Sequence, residues 1–307
     1  MTPAASTPTL LGAVVVTYFP DPAFHSRLAA IAREIPACIV VDNSATPAIR
    51  AELAELCTQL GCEFVAQPDN TGLGSALNAG FTIHAARGAR EVVAFDQDST
   101  PLPGFAAALL ATLRAGKGLG VIGANWQDQG RPGAASRHLR RHLLPPFFRR
   151  SLARTDLFDA TCVITSGTLF DVALWRELGG FDPGLFLDLV DTDFCLRARA
   201  AGWAVGVSAT ARLAHRRGAK QPVRRLGRTW WPAFMPPLRL RYVARNRIHL
   251  LARHGWREPH WALFELCFAA KLVADILLLE NDKLAKIASS LRGTWDGLLG
   301  STGKFHE

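Results

Sequence analysis

The sequence lacks the signals of several common protein classes. Its six cysteines, Cys38, Cys57, Cys62, Cys162, Cys195 and Cys267, are scattered, with no Cys-x-x-Cys pair and no clustered histidines. That pattern disfavours a zinc site or a disulfide framework and reads as free thiols in a reducing compartment. No basic residue precedes the first apolar run, Leu10 to Val16, which Gly12 interrupts and Thr17-Tyr18 closes, so the run reads as a buried strand and not as a signal peptide. No Gly-x-Gly-x-x-Gly follows that strand, which disfavours a dinucleotide site, and no Gly-x-x-x-x-Gly-Lys-Ser/Thr occurs to cradle phosphates. Acids are missing from two stretches: Arg131 to Arg154 carries seven arginines, and Arg216 to Arg247 carries ten lysines or arginines. Those stretches sum to +17 in a chain of net charge +9, so the remainder sums to −8. Such segregation fits an anionic partner: nucleic acid, an anionic membrane surface or a phosphorylated substrate. Solvated loops in an arginine-rich chain would look the same.

What is present is enough for a large core. The chain has 307 residues, 49% of them hydrophobic, sufficient for one large α/β domain with an appendage. Apolar runs alternate with helical patterns. Strands are expected at Leu11 to Thr17, Ala37 to Asp42, Cys62 to Ala66, Glu91 to Phe95 and Leu119 to Gly123. Helices are expected around Phe24 to Glu34, Pro47 to Leu60, Gly72 to Ala86 and Gly104 to Ala115. This βαβ series predicts a mostly parallel sheet flanked by helices. Thr17-Tyr18, Asp42-Asn43-Ser44, Asn70-Thr71-Gly72-Leu73-Gly74 and Asp96-Gln97-Asp98 each follow a strand, and should gather along the edge where such sheets bind ligands.

Of these, Asp96-Gln97-Asp98 carries the most chemistry. Residues i and i+2 of a strand share a face, so the two carboxylates can converge at the strand end. Hard oxygen donors there suit Mg²⁺ or Mn²⁺ carrying a phosphate. Small residues in the Asn70 to Gly80 segment would let a helix N-terminus approach an anion.

Val14-Val15-Val16-Thr17-Tyr18, Val40-Val41-Asp42-Asn43-Ser44, Asn70 to Asn78 and Asp96-Gln97-Asp98-Ser99 resemble, in order and spacing, the inverting GT-A glycosyltransferases of family 2. The resemblance continues through Thr165-Ser166-Gly167, Gly179-Gly180-Phe181-Asp182, Asp191-Thr192-Asp193-Phe194-Cys195-Leu196-Arg197 and His215-Arg216-Arg217-Gly218, with a looser echo in Arg241-Tyr242-Val243-Ala244-Arg245-Asn246. The Asp-Gln-Asp-Ser form is especially like that of bacterial rhamnosyltransferases building cell-surface polysaccharide. The resemblance implies a GT-A fold and a nucleotide-sugar donor, dTDP-L-rhamnose or another such as a galactofuranose, glucose or N-acetylglucosamine nucleotide. It also implies a saccharide or lipid-linked saccharide acceptor.

By the same resemblance Asp42 holds the donor's pyrimidine, Thr17 and Tyr18 line its pocket, and Gly72 and Asn78 lie near the nucleotide or sugar. Asp96 contacts ribose or metal, Asp98 binds the Mg²⁺ or Mn²⁺, and His215 adds a metal or phosphate contact, although the adjacent Arg216 and Arg217 could equally bind the phosphate. A turn-forming role for Asp42 is the alternative. An inverting transfer also needs a base. Asp188, Asp191 and Asp193 are the candidates, and Asp191 is preferred because Arg197 stands six residues on. Many relatives have Glu-Asp where this chain has Val190-Asp191, which keeps Asp188 in contention. All three acids could instead stabilise a helix N-terminus.

The resemblance divides the chain into a catalytic part, 1–225, with a nucleotide-sugar half (1–125) and an acceptor half (126–225), followed by a basic, aromatic and helical tail, 226–307. Within the tail, Trp261 to Glu280 is apolar, but Glu265, Lys271 and Asp275 interrupt it too often for a membrane span. Those residues and Glu280 fall in one half of a helical wheel. The amphipathic helix so predicted can lie in a membrane interface, pack on the catalytic part or form a homodimer. The expected location is the cytoplasm, peripheral on the inner face of the membrane. A nucleic-acid-binding role is disfavoured because no recognisable binding motif interleaves aromatics with the arginines.

Overall fold

The structure, a computed structural model, describes residues 11–129, 136–140, 150–152, 154–215, 222–225 and 227–305. Most of the arginine-rich stretch Arg131 to Arg154, as well as Arg216, Arg217 and Lys220, lies outside them. The chain begins as the sequence predicts: β1 (Leu11–Thr17), α1 (Phe24–Glu34), β2 (Cys38–Asp42), α2 (Pro47–Leu60), β3 (Glu63–Ala66), α3 (Leu73–Ala86) and β4 (Glu91–Asp96). Next come β5 (Ser99–Pro101), α4 (Phe105–Ala115), β6 (Leu119–Asp128), β7 (Arg137–Leu139), β8 (Arg150–Leu152), β9 (Thr168–Asp171) and α5 (Val172–Glu177). The remainder comprises α6 (Val190–Ala200), β10 (Ala204–His215), β11 (Val223–Arg225), β12 (Arg228–Trp230), α7 (Pro237–His254), α8 (Pro259–Leu279) and α9 (Lys283–Leu298).

Eight strands form the main sheet in the order β3-β2-β1-β4-β9-β6-β10-β5. The neighbours β1–β2, β2–β3, β1–β4 and β6–β10 are parallel, while β9 runs antiparallel to both β4 and β6. Successive side chains of β1 feed opposite cores, as a strand covered on both faces must. Val14 packs with Leu77, Phe81 and Phe194 on one side, and Ala13 and Val15 with Leu28, Phe95 and Phe105 on the other. Register then sets the functional edge: Thr17 lies beside Asp42, and Val16 beside Asp96.

The sequence reading did not anticipate β5 and β9. The chain does not continue as a strand through Asp98; Gln97 and Asp98 form a turn, and β5 then pairs antiparallel with the end of β10, setting Ser99 opposite His215. Pro101 is tolerated because β5 is an edge strand.

The predicted amphipathic helix is present as α8, but the acids of its polar half are buried against the protein while Lys271 stays exposed. Glu265 is buried against Arg247, Asp275 pairs with Lys271, and Glu280 with Lys286. No helix among the described residues is long and apolar enough to cross a membrane.

Candidate functional site

At the end of β2, Asp42 is fully buried and points one oxygen into a cage of donors. Its Oδ1 accepts hydrogen bonds from Thr17 Oγ1 at 3.0 Å, Ser44 N at 3.1 Å and Ser44 Oγ at 2.7 Å. Its Oδ2 is buried and has no hydrogen-bond partner. A buried acceptor is costly when unpaired, so this oxygen is set to receive an N–H from a ligand. Tyr18, half exposed, stands beside it with its ring against Phe19. Gln97 ties the ends of β1 and β4 together, accepting from Tyr18 N at 2.7 Å and donating to Tyr18 O at 3.1 Å.

Beyond Gln97, ligand atoms of Asp96, Asp98 and His215 all lie within 4.8 Å of one another. The local turn brings the aspartates together, and β5 pairing with β10 supplies the histidine. His215 Nδ1 lies 2.6 Å from Ser99 Oγ and 3.2 Å from Asp98 Oδ1. That Asp98 oxygen is buried yet makes no hydrogen bond. Two carboxylates, one of them with an orphaned oxygen, and an imidazole fit a hard divalent cation such as Mg²⁺ or Mn²⁺. Burial raises the Asp96 carboxyl to about 6; His215 and Arg239 pull against the rise, and the charges of Asp98 and Asp191 add to it.

The segment Thr165-Ser166-Gly167 joins this cluster to the acids of α6. Ser166 Oγ accepts from Asp96 N at 2.9 Å and donates to Ser99 Oγ at 2.7 Å. Thr165 N donates to Asp191 Oδ2 at 2.9 Å, while Asp191 Oδ1 accepts from Thr192 N at 2.7 Å. Gly167 has φ +72, and a Cβ there would meet Leu213 at 2.7 Å, so a side chain is excluded both by backbone and by space. Burial raises the Asp191 carboxyl above its usual range against these hydrogen bonds.

The three candidate acids have different surroundings. Asp188 is held by Arg239 through two bonds, 2.9 Å and 2.7 Å, and Asp193 is buried among Arg197, Arg253 and His254. Only Asp191 has no ion-pair partner among the described residues while lying close enough to Asp96 to raise its pKa.

Two other sequence candidates do structural work. Asn78 Oδ1 accepts from Phe181 N and Trp175 Nε1, and its amide donates to Phe181 O at 2.8 Å, so this side chain braces α3 against the Gly180-Phe181 turn. Gly72 has φ +85, and a Cβ there would lie 2.6 Å from Phe186 O, the atom that accepts from Leu73 N. Gly72 therefore permits close packing of the Asn70 loop on the loop before α6.

The model of the family described as glycosyl transferase family 2 matches residues 14–179, more than half of the chain. The chain belongs to glycosyl transferase family 2. It is 25% identical over 300 residues to a dTDP-rhamnosyl transferase, RfbF, of Shigella flexneri, covering 95% of this chain and 96% of that one. Among solved structures it is similar to residues 1–349 of TarS from S. aureus, with a TM-score of 0.58, 13% identity, and coverage of 94% of this chain and 80% of that one. A mannosyltransferase from Pyrobaculum calidifontis, solved with GDP-Man and Mn²⁺, is similar at a TM-score of 0.57 and 16% identity, over 95% of this chain and 87% of that one. The fold of this glycosyltransferase is GT-A.

Sequence reasoning missed what α7 contributes to the glycosyltransferase. Arg239, in its first turn, reaches Asp188 and lies close enough to Asp96 and Asp98 for their charges to raise its own pKa. Asn246 is fully buried, and its amide donates to the carbonyls of Leu185, Leu187 and Asp188 at 2.9, 2.7 and 3.0 Å. Arg245, also buried, donates to Gly184 O, Leu185 O and Gly303 O. These bonds hold a loop in which Phe186, Asp188 and Leu189 all have φ near +60, a conformation costly for residues with side chains. The available signal was the Arg245-Asn246 pair, but nothing in the sequence indicates which backbone it holds.

Proposed function

We propose that this glycosyltransferase is a metal-dependent inverting enzyme that transfers L-rhamnose from dTDP-L-rhamnose to a lipid-linked saccharide during cell-surface polysaccharide synthesis. The observation that carries the reading is the convergence of Asp96, Asp98 and His215 beside Asp191, on the same sheet edge as the orphaned Asp42 oxygen. The choice of rhamnose is supported by the Asp-Gln-Asp-Ser motif and by the rhamnosyl relative.

In this reading Asp42 accepts the ring N–H of the donor pyrimidine, Thr17 and Ser44 fix the carboxylate, and Tyr18 borders the pocket. Asp96, Asp98 and His215 hold the Mg²⁺ or Mn²⁺. Bound there, the cation supplies Lewis-acid neutralisation of charge that develops on the leaving diphosphate. Asp191 takes the proton of the acceptor hydroxyl as that oxygen attacks the anomeric carbon from the face opposite the diphosphate. Burial raises its pKa above the ordinary carboxylate range, which makes it a stronger proton acceptor. Asp188, committed to Arg239, instead fixes that guanidinium, which lies close enough to feel the charges of Asp96 and Asp98. Residues 1–225 form the catalytic part, and 226–307 complete it through α7. The acceptor's lipid places the enzyme peripherally at the cytoplasmic face of the membrane.

Transfer from radiolabelled dTDP-L-rhamnose, with and without EDTA, tests the mechanism. We expect EDTA to abolish transfer and Mn²⁺ to restore it. Metal-independent transfer, or full activity in Asp98→Ala, would overturn the assignment. Thermal shifts against a panel of nucleotide sugars test the donor; stronger stabilisation by a galactofuranose, glucose or N-acetylglucosamine nucleotide would replace rhamnose while leaving the chemistry in place.

A further inference from the structure

The C-terminal helices α8 and α9 bury Trp261, Leu272 and Ile276 together with their paired acids, and leave a second set of apolar side chains outside. On α9 the exposed residues Leu284, Leu291, Trp295, Leu298 and Leu299 fall within an arc of about 100° when plotted at about 100° per residue. Leu284 is 88% exposed and Trp295 63%, so the stripe is not covered by this chain. Lys283 and Arg292, both exposed, flank the arc. On the opposite side of α9, Gly293 and Gly297 lie against α7, so closely that a Cβ on Gly293 would sit 2.1 Å from Arg241 O. Across the turn, α8 continues the pattern with exposed Leu266, Val273, Leu277 and Leu278.

Charge distinguishes this surface from an ordinary protein contact. The carboxylates of the hairpin are withdrawn or paired: Glu265, Asp275 and Glu280 as described above, and Asp296 with Arg241. Only Asp282, in the turn, is exposed. Apolar stripes flanked by lysine and arginine, with tryptophan within the stripe, are the chemistry of a helix lying in the interface of an anionic bilayer.

We propose that the outer faces of α9 and the C-terminal half of α8 dock on an anionic lipid bilayer. This rests on the reading of a membrane-bound acceptor and deepens it by naming the surface. It also explains why the catalytic loop is braced from α7: α9 touches lipid on one face and α7 on the other, and α7 holds the loop before α6. The bilayer is thus one helix away from that loop.

The test is flotation of the full chain with vesicles of phosphatidylcholine alone or mixed with phosphatidylglycerol. Binding is expected to favour the mixed vesicles and to fall with added salt. The double variant Leu291→Glu, Trp295→Glu should weaken it by at least about tenfold. Its melting temperature and its stabilisation by dTDP with Mn²⁺ should stay as in the unaltered protein, because both residues are exposed. If that variant misfolds, Lys283→Glu with Arg292→Glu tests the same face and should remove the preference for phosphatidylglycerol. Absence of flotation, or a lipid-free dimer in analytical ultracentrifugation that the same substitutions dissociate, would overturn the proposal. Failure of the unaltered protein to bind dTDP would instead count against the donor-site reading, since the vesicle measurement does not depend on it.

Discussion

Asp42 and Asp96 end neighbours of the same strand, β1, and their positions follow from sheet register and from hydrogen bonds made within a few residues or across adjacent strands. Asp188 and Asp191 are placed otherwise. Asp188 lies within, and Asp191 just after, a loop with three residues in the left-handed region, which Arg245 and Asn246 hold from about sixty residues downstream. A strand end is set by cooperative backbone pairing, so no one side chain is indispensable to it. The loop has no ladder, and its carbonyls depend on a few buried donors. The two sides should therefore fail differently: the strand side by small losses of ligand affinity, the loop side by losses of turnover and stability.

The largest effect belongs to the proposed base. Asp191→Asn keeps the size of the side chain and an acceptor for Thr165 or Thr192, but removes the proton acceptor. Turnover should fall by about 10²–10⁴-fold, while dTDP affinity, measured by calorimetry with Mn²⁺ present, changes less than about twofold. Normal turnover in this variant, with loss in Asp188→Asn, would move the base to Asp188.

Next is Asp193, the buried anchor between α6 and α7. Burial alone would raise its carboxyl, but His254, Arg197 and Arg253 outweigh that effect and hold it below the ordinary value. A lowered folded-state pKa means that the stabilisation is complete above the unfolded value of about 3.9 and is lost as pH falls through the folded one. Asp193→Ala should cost about 3 kcal/mol in urea denaturation at neutral pH, the lower end for a broken buried pair, because Arg253 keeps Asp182 and Arg197 keeps two backbone carbonyls. The difference from the unaltered protein should narrow below about pH 4. A difference that holds constant through that range would show that the carboxylate's charge is not what is lost.

The same contrast decides what could be read from the sequence. The first seven elements, together with α4 and β6, were legible because each is a continuous apolar run or a helical repeat bounded by breakers, and Asp42 and Asp96 were legible because they end such runs. The four-residue β9 was not: its direction, antiparallel between β4 and β6, is chosen by partners far away in sequence. Convergence of Asp96 with Asp98 was anticipated for a different reason, since a turn and β5 achieve it and not an extended strand. In α8 the wheel showed two faces but not which one would meet the body. Ion pairs to Arg247 and Lys286, each on another helix, decided that. Arg239 and Asn246 stayed hidden because their partners are main-chain or carboxylate groups in a loop that has no periodicity.

Asn246→Ala tests the loop side directly. Removing one amide takes a donor from the carbonyls of Leu187 and Asp188, while Leu185 O keeps Arg245, and stability should fall by about 2 kcal/mol. Turnover should fall as well, with dTDP affinity retained, because no strand end is touched. Equal loss of nucleotide binding and turnover would show that the two sides are not mechanically separate.

The smallest effect is expected where the strand side loses one bond among several. Thr17→Val conserves shape and removes the hydroxyl that donates to Asp42 Oδ1, yet Ser44 still supplies a backbone and a side-chain donor to the same oxygen. The loss should be about 1 kcal/mol, close to a fivefold rise in the dTDP dissociation constant, with turnover at saturating donor unchanged. Thr17 is buried and its neighbour Asp42 keeps its position in β2 through pairing with β1, so a large fall in turnover here would mean that the carboxylate's orientation, and not the strand register, sets the reacting geometry.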